Sequence, residues 1–252
     1  MLFDISALRD LQGKDLSGEG LLVLEGRFMI EKAMDSGTTI LGAIRTEEGD
    51  SAWLDARRPG FPVEVASQPE ITGIVGFKFH HGVLALARRP AIPPFPAGDP
   101  DREKDSAFLC LWNITDPSNV GALIRSAAAL GASAVLLGPG CADPFYRKAL
   151  RSSMGHCLSL PLFICGTGEL IRMKEAGICL VAATLSPRAR PLGESGFPRP
   201  LALLLGNEGF GLPPEVLGIC GAEVYIPMRP DVDSLNVAVA GGICMYGLFS
   251  RR

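Results

Sequence analysis

The stretch YIPMRPDVDSLNVAVAGGICMYGLFS, Tyr225–Ser250, decides the fold. A short β-type run, Glu223–Ile226, passes through Pro227 into an irregular turn holding Asp231 and Asp233. Ser234 then opens a segment of small and apolar residues, and serine is a good helix N-cap. The pattern predicts a helix over Leu235–Phe249, with ~13 uninterrupted apolar residues against the ~20 needed to span a bilayer. Gly241 and Gly242 inside it each cost about 1 kcal/mol relative to alanine, so the helix is expected to pack very closely against another backbone. Ser234 and Asn236 stand at its mouth, where backbone N–H groups are unpaired and small polar side chains can face a ligand. Taken alone, the stretch also reads as a plain capped core helix.

Two earlier stretches change that reading. They are NITDPSNVGALIRSAAALGASAVLLGPG (Asn113–Gly140) and LALLLGNEGFGL (Leu201–Leu212). Each places an apolar strand directly before a Gly- or Asn-bearing turn. No Walker A pattern is present and no GxGxxG follows a strand. The glycines of GNEGFG (Gly206, Gly209, Gly211) would instead let a ligand approach backbone closely at a strand's carboxyl end, where open α/β sheets bind ligands.

Composition sets the outer bounds. The chain has 252 residues, 47% hydrophobic and 20% charged, which suffices for one large domain or two small ones with a proper core. The start, MLFDISALRDLQGKD, lacks the basic lead and unbroken apolar core of a signal peptide, and no run is long enough for a membrane, so a cytoplasmic protein is expected. Seven cysteines, widely spaced and without a CxxC pair, read as structural thiols in apolar runs. The three histidines (His80, His81, His156) do not make a metal spacing, so no metal is expected. A net charge of −3 gives no global basic footprint, but it leaves room for local basic clusters such as Arg147, Lys148 and Arg151.

In chain order, residues 1–90 read as a small α/β unit. Leu21–Gly26, Thr38–Arg45, Gly60–Ala66 and His80–Arg89 are strand candidates, and Arg27–Gly37 has helical spacing with a glycine stop. Residues 91–106 carry a Pro-rich, charge-mixed connector. From 107 to 252, strands Ala107–Thr115, Ala132–Gly140, Leu160–Cys165, Ile178–Leu185 and Leu201–Gly206 alternate with helices. Those helices are Val120–Leu130 (capped by Ser118 or Asn119), Asp143–Gly155 and Gly168–Gly177. Apolar strands between helices imply an α/β fold with a mainly parallel sheet covered on both faces. Ser186–Pro200 is a Pro/Gly/Arg loop long enough to bind or cover a ligand.

In order and spacing, the three stretches resemble the signature motifs of the SpoU/TrmH-type RNA 2′-O-ribose methyltransferases of the SPOUT superfamily. LEGRFMIEKAMDSG and the later FHHGVLALA also look like the ribosomal-protein-like RNA-binding domain that precedes the catalytic half in many members. The resemblance implies a deep trefoil knot, a homodimer formed through the knotted domain, RNA (ribosomal ahead of transfer) as substrate and S-adenosyl-L-methionine as cofactor. Carried over by position, it makes Asn119, Arg125, Glu208, Ser234 and Asn236 the catalytic set. Gly206, Ile226, Met228 and Leu235 hold the cofactor, largely through backbone.

A sulfonium is already an excellent methyl donor, so alignment and removal of the hydroxyl proton are what remain for the protein. Such enzymes are often given an arginine base, yet a guanidinium stays protonated below about pH 12. Arg125 would equally stabilise a developing alkoxide or grip a phosphate, oriented by Glu208 and serving the partner's site. The motif departs from the family at Pro230, where a glycine is usual, so that turn is expected to differ locally. Two other readings stay open on sequence. One is a non-catalytic RNA-binding or ribosome-assembly protein that kept the fold; the other is a different nucleotide-using α/β enzyme, disfavoured by the missing phosphate loops.

Overall fold

The computed structural model describes residues 16, 19–47, 52–57, 59–76, 78, 80, 82–96, 104–194 and 196–249. His81, Arg58 and connector residues 97–103 lie outside them. The described chain forms two compact units. One comprises the residues up to Ala91 together with Phe145–Ser159, and the other comprises Ile92 to Pro144 together with those from Leu160 onward.

In the first unit the order is β1 (Leu21–Glu25), α1 (Arg27–Asp35), β2 (Ile40–Thr46), α2 (Ala52–Ala56), β3 (Val63–Ala66), α3 (Gln68–Val75) and β4 (Val83–Arg88). The sheet runs β1-β4-β2-β3, with β4 antiparallel to both neighbours and β3 parallel to β2. Val23, Ile44, Ile71, Val75, Leu84 and Leu86 form its core. Helix α3 was not expected from apolar spacing, but its start is written in Ser67-x-x-Glu70. The Ser67 hydroxyl accepts from the Glu70 N–H, and the Glu70 carboxylate accepts from the Ser67 N–H at 2.8 Å, a reciprocal capping box.

Phe145–Ser159, expected within the C-terminal domain, packs with this first unit instead. Arg147 pairs with the buried carboxylate of Glu25 at 2.5 Å, and the Arg89 guanidinium lies 5.1 Å from the Phe145 ring centre. The helix here is α5 (Arg147–Ser152), shorter than the expected Asp143–Gly155. The chain leaves it through Ser153 and Met154, the latter at φ +52, and Gly155, at φ +76, lies against Met29 and Lys32 of α1 before a 3₁₀ turn at His156–Leu158.

The second unit contains β5 (Ala107–Leu111), α4 (Pro117–Ala129), β6 (Ala134–Leu137), β7 (Leu162–Ile164), α6 (Thr167–Glu175) and β8 (Cys179–Ala183). It continues through β9 (Arg190–Pro191), β10 (Leu201–Leu205), α7 (Pro214–Ile219), β11 (Ala222–Tyr225) and α8 (Val237–Phe249). The sheet order is β7-β6-β5-β10-β8-β11-β9, and every neighbouring pair is parallel. β5, β6 and β10 are buried along their whole length, as strands covered on both faces must be.

Described residues of the loop Ser186–Pro200 are tied to the rest of the second unit. Ser186 and Arg188 both engage the Glu223 carboxylate, β9 adds to the sheet edge, and Leu192 packs against Gly247 of α8.

Candidate active site

Because the sheet is parallel, the turns after β5, β8, β10 and β11 all leave from one edge. The backbone itself knits two of them together: the Trp112 N–H donates to the Leu205 carbonyl at 2.9 Å. The turn after β10 then closes on itself. Asn207 and Gly211 exchange backbone hydrogen bonds of 3.1 and 2.8 Å, and the Asn207 Nδ2 donates to the Asn113 carbonyl at 2.9 Å. This fold-back needs a glycine at 206, since a Cβ there would lie 2.3 Å from the Gly211 carbonyl carbon and 2.5 Å from the Leu212 nitrogen. Gly206 therefore makes room for the loop's own backbone and is not among the residues lining the cleft described below.

Helix α4 begins one turn after β5. Asp116 caps it, its Oδ1 accepting from the Ser118 N–H at 2.9 Å with Pro117 at the first helical position. Neither Ser118 nor Asn119 is the cap, which leaves the Asn119 amide available to reach across. Val120, Leu123, Ile124 and Ala127, at i, i+3, i+4 and i+7, bury the other face.

Helix α8 begins at Val237, two residues later than expected, and its cap is Asn236 rather than Ser234. The Asn236 Oδ1 accepts from the N–H groups of Ala238 (2.9 Å) and Val239 (3.4 Å). Gly241 lets α8 cross α4 and β10 closely, but against side chains: a Cβ would lie 2.3 Å from a Leu123 methyl and 2.7 Å from a Leu205 methyl. Gly242 has nothing within 4 Å of that position.

Asn119, Glu208 and Asn236 meet. Asn119 donates from Nδ2 to the Glu208 carboxylate and accepts at Oδ1 from the Asn236 Nδ2 at 3.1 Å. One hydrogen-bonded line thus runs from a carboxylate through two amides to the amino end of a helix, taking one residue from each signature stretch. Each amide donates at one end and accepts at the other, which fixes both orientations.

Beside this line lies a cleft of about 140 Å³, roughly ten times what a single water needs. Its walls are Ala183 at the end of β8 with Thr184 and Leu185 just beyond it, Val224–Ile226 with Met228, the pair Ser234–Leu235, and Ala240 and Cys244 of α8. Of the residues expected to hold a cofactor, Ile226, Met228 and Leu235 line it, joined by Ser234 from the expected catalytic set; Leu185 and Cys244 line it too and were not singled out from sequence. Among the described residues, no carboxylate, lysine or arginine lines the cleft. Burial pushes the Cys244 thiol up to about 11, so it is neutral near pH 7.

Arg125 stands apart. Six residues after Asn119, it sits roughly 9 Å along α4 and about 120° around it, exposed. Glu208 is engaged by Asn119, and no contact with Arg125 orients it within one chain among the described residues. The Pro230 departure is absorbed by a β-turn over Arg229–Val232, with the Val232 N–H on the Arg229 carbonyl at 3.1 Å and proline at its favoured second position. His80 is exposed. Among the described residues no helix is long and apolar enough to cross a membrane.

Fold and site together define a parallel α/β enzyme domain with its ligand cleft at the carboxyl edge of the sheet. The model of the SpoU rRNA Methylase family matches residues 106–246. The chain is 35% identical over 240 residues to an uncharacterized tRNA/rRNA methyltransferase of Mycobacterium bovis, covering 91% of this chain and 81% of that one. It is 33% identical over 199 residues to the 23S rRNA (guanosine-2′-O-)-methyltransferase RlmB of Acinetobacter baylyi, covering 77% and 80%. The AdoMet-bound rRNA methyltransferase from Sinorhizobium meliloti superposes with a TM-score of 0.80 at 27% identity, covering 96% of this chain and 91% of that one. The chain belongs to the SpoU rRNA methylase family.

Proposed function

We propose that this protein transfers a methyl group from S-adenosylmethionine to a ribose 2′-hydroxyl of RNA, with ribosomal RNA as the substrate. The observation that carries this reading is the line Glu208–Asn119–Asn236 running directly into Ser234–Leu235 of the cleft wall. The cleft suits the cofactor: its apolar walls at Ile226, Met228 and Leu235 can sandwich a purine, and it presents no cation to repel a sulfonium. When bound, S-adenosylmethionine supplies an activated methyl group, so the protein's task is alignment and proton removal.

In this reading Asn119, Asn236 and Ser234 fix the ribose and the methionine end of the cofactor, and Glu208 locks the Asn119 amide. The Arg125 guanidinium stabilises negative charge on the attacking oxygen of a second copy. A homodimer is supported by α8, which is apolar on both sides. Its inner face holds Val237, Gly241, Met245 and Leu248, while Val239, Ile243 and Tyr246 remain exposed on the outer. The trefoil knot, RNA binding by the first unit and a cytoplasmic location belong to the same reading.

The experiment is to titrate the protein with S-adenosylmethionine, then map 2′-O-methyl sites in total RNA from cells with and without the gene. Expected are cofactor binding and one or more ribosomal sites lost on deletion. Binding without any lost site would favour an RNA-binding protein that no longer catalyses, and a monomer by sedimentation would remove the shared site for Arg125.

A further inference from the structure

The line of polar contacts leaves one conspicuous neighbour without work. Phe210, two residues after Glu208, is 90% exposed, the highest value for a large hydrophobic side chain among the described residues. It is not on a loose loop. The Asn207 Oδ1 accepts from the Gly209 and Phe210 N–H groups at 2.8 and 3.2 Å, and the turn's two ends exchange the Asn207–Gly211 backbone pair. Gly211, at φ +67, has nothing within 4 Å of where a Cβ would stand, and Gly209 has only the Asn207 Oδ1 at 3.4 Å. With glycine on either side, no adjoining side chain crowds the ring. Glu208, two residues back, is polar and exposed. A single exposed ring flanked in the chain by glycines and a carboxylate does not by itself make a protein interface, which needs roughly 1,000 Å² of buried surface. It does match one flat heterocycle, and unpaired bases in RNA are commonly held by stacking on aromatic side chains.

We propose that Phe210 is a substrate-binding residue whose ring stacks on an unpaired base of the RNA beside the ribose to be methylated. This rests on the function proposed above and adds to it a requirement that the target lie in a single-stranded segment. The braced turn holds the Phe210 backbone two residues from Glu208, which bonds Asn119, so stacking on its ring would bring the neighbouring ribose to the cleft mouth.

The test uses the full chain, unmodified 23S rRNA transcribed in vitro, and S-adenosylmethionine carrying a labelled methyl group. Phe210→Ala, Phe210→Trp and Phe210→Leu are compared, with circular dichroism melts to show that each is folded. Phe210→Ala is expected to raise the KM for rRNA about tenfold or more, leave cofactor affinity unchanged, and be rescued by Trp but not by Leu. An unchanged KM in Phe210→Ala overturns the inference, as does full rescue by Leu, which would mean simple apolar contact. Loss of a dimer on Phe210→Ala also overturns it, by assigning the ring to a second copy of the chain. A wild type that is silent on this rRNA defeats the underlying function and this inference together. An active wild type with an unaffected alanine variant defeats this inference alone.

Discussion

Asn236 donates from Nδ2 to the Asn119 Oδ1 at 3.1 Å across a separation of 117 residues, while its own Oδ1 caps helix α8. The two ends of one amide therefore do different work. The oxygen is structural and the nitrogen belongs to the site.

That division can be read out with two substitutions. Asn236→Asp keeps an oxygen for the Ala238 N–H but cannot donate to Asn119. Asn236→Ala loses both. Expected is stability close to wild type for Asp and a loss of about 1 kcal/mol for Ala, measured by urea unfolding. Methyl transfer should fall by about tenfold or more in both. Equal stabilities would mean that the cap contributes nothing, and wild-type turnover in the Asp variant would remove Asn236 from the site.

Asn119 holds the centre of the line, so Asn119→Ala severs Glu208 from Asn236 at once. The residue is half-buried in the first turn of α4, outside the packed face, and its loss should leave the fold intact. Turnover is expected to fall by at least about a hundredfold, on the order of 3 kcal/mol of transition-state stabilisation. Asn119→Asp should do no better, because it sets a second carboxylate against Glu208. An active Asp variant would show that the contact with Glu208 is dispensable.

Much of this was legible in advance because strands buried on both faces write themselves as apolar runs. β5, β6, β8 and β10 fell where LALLL-type stretches stood. The helix starts were less visible. Asp116-Pro117 is a cap followed by a first-turn proline, but the next two polar residues offered the same chemistry. At α8 the apolar Leu235 looked helical, whereas it lines the cleft and the chain stays irregular until Asn236. The pairing of Arg147 with Glu25, 122 residues apart, has no local signature at all, so the membership of Phe145–Ser159 could not be read. Asn207 was passed over because its side chain serves a turn, and only the folded loop shows what Gly206 accommodates.

Gly206 gives the sharpest steric test. A Cβ there meets backbone atoms of Gly211 and Leu212 at 2.3–2.5 Å, and these cannot swing aside as a side-chain end can. Gly206→Ala should displace the whole 206–211 turn, abolishing methyl transfer and costing roughly 2 kcal/mol or more by chemical denaturation. Gly209→Ala meets only the Asn207 Oδ1 at 3.4 Å and should stay within about 0.5 kcal/mol of wild type. A Gly206→Ala variant as stable and active as wild type would contradict the fold-back.

Cys244 links the cleft to pH. An exposed thiol titrates near about 8.5, and burial pushes this one up to about 11. Below about pH 8.5 both folded and unfolded chains keep the proton, and the folded state has its full advantage. Between about 8.5 and 11 the unfolded chain releases a proton that the folded one retains, so this group's contribution is lost as pH rises, approaching roughly 3 kcal/mol at the upper end. The same burial keeps the reactive thiolate scarce. Iodoacetamide at pH 8 should therefore label Cys244 in urea but leave it unmodified in the native protein, as read by peptide mass spectrometry. Bound S-adenosylmethionine should extend that protection to higher pH by filling the cleft that Cys244 helps to line. Rapid native labelling at pH 8 would mean an open, ionised thiol and a cleft wall unlike the one described.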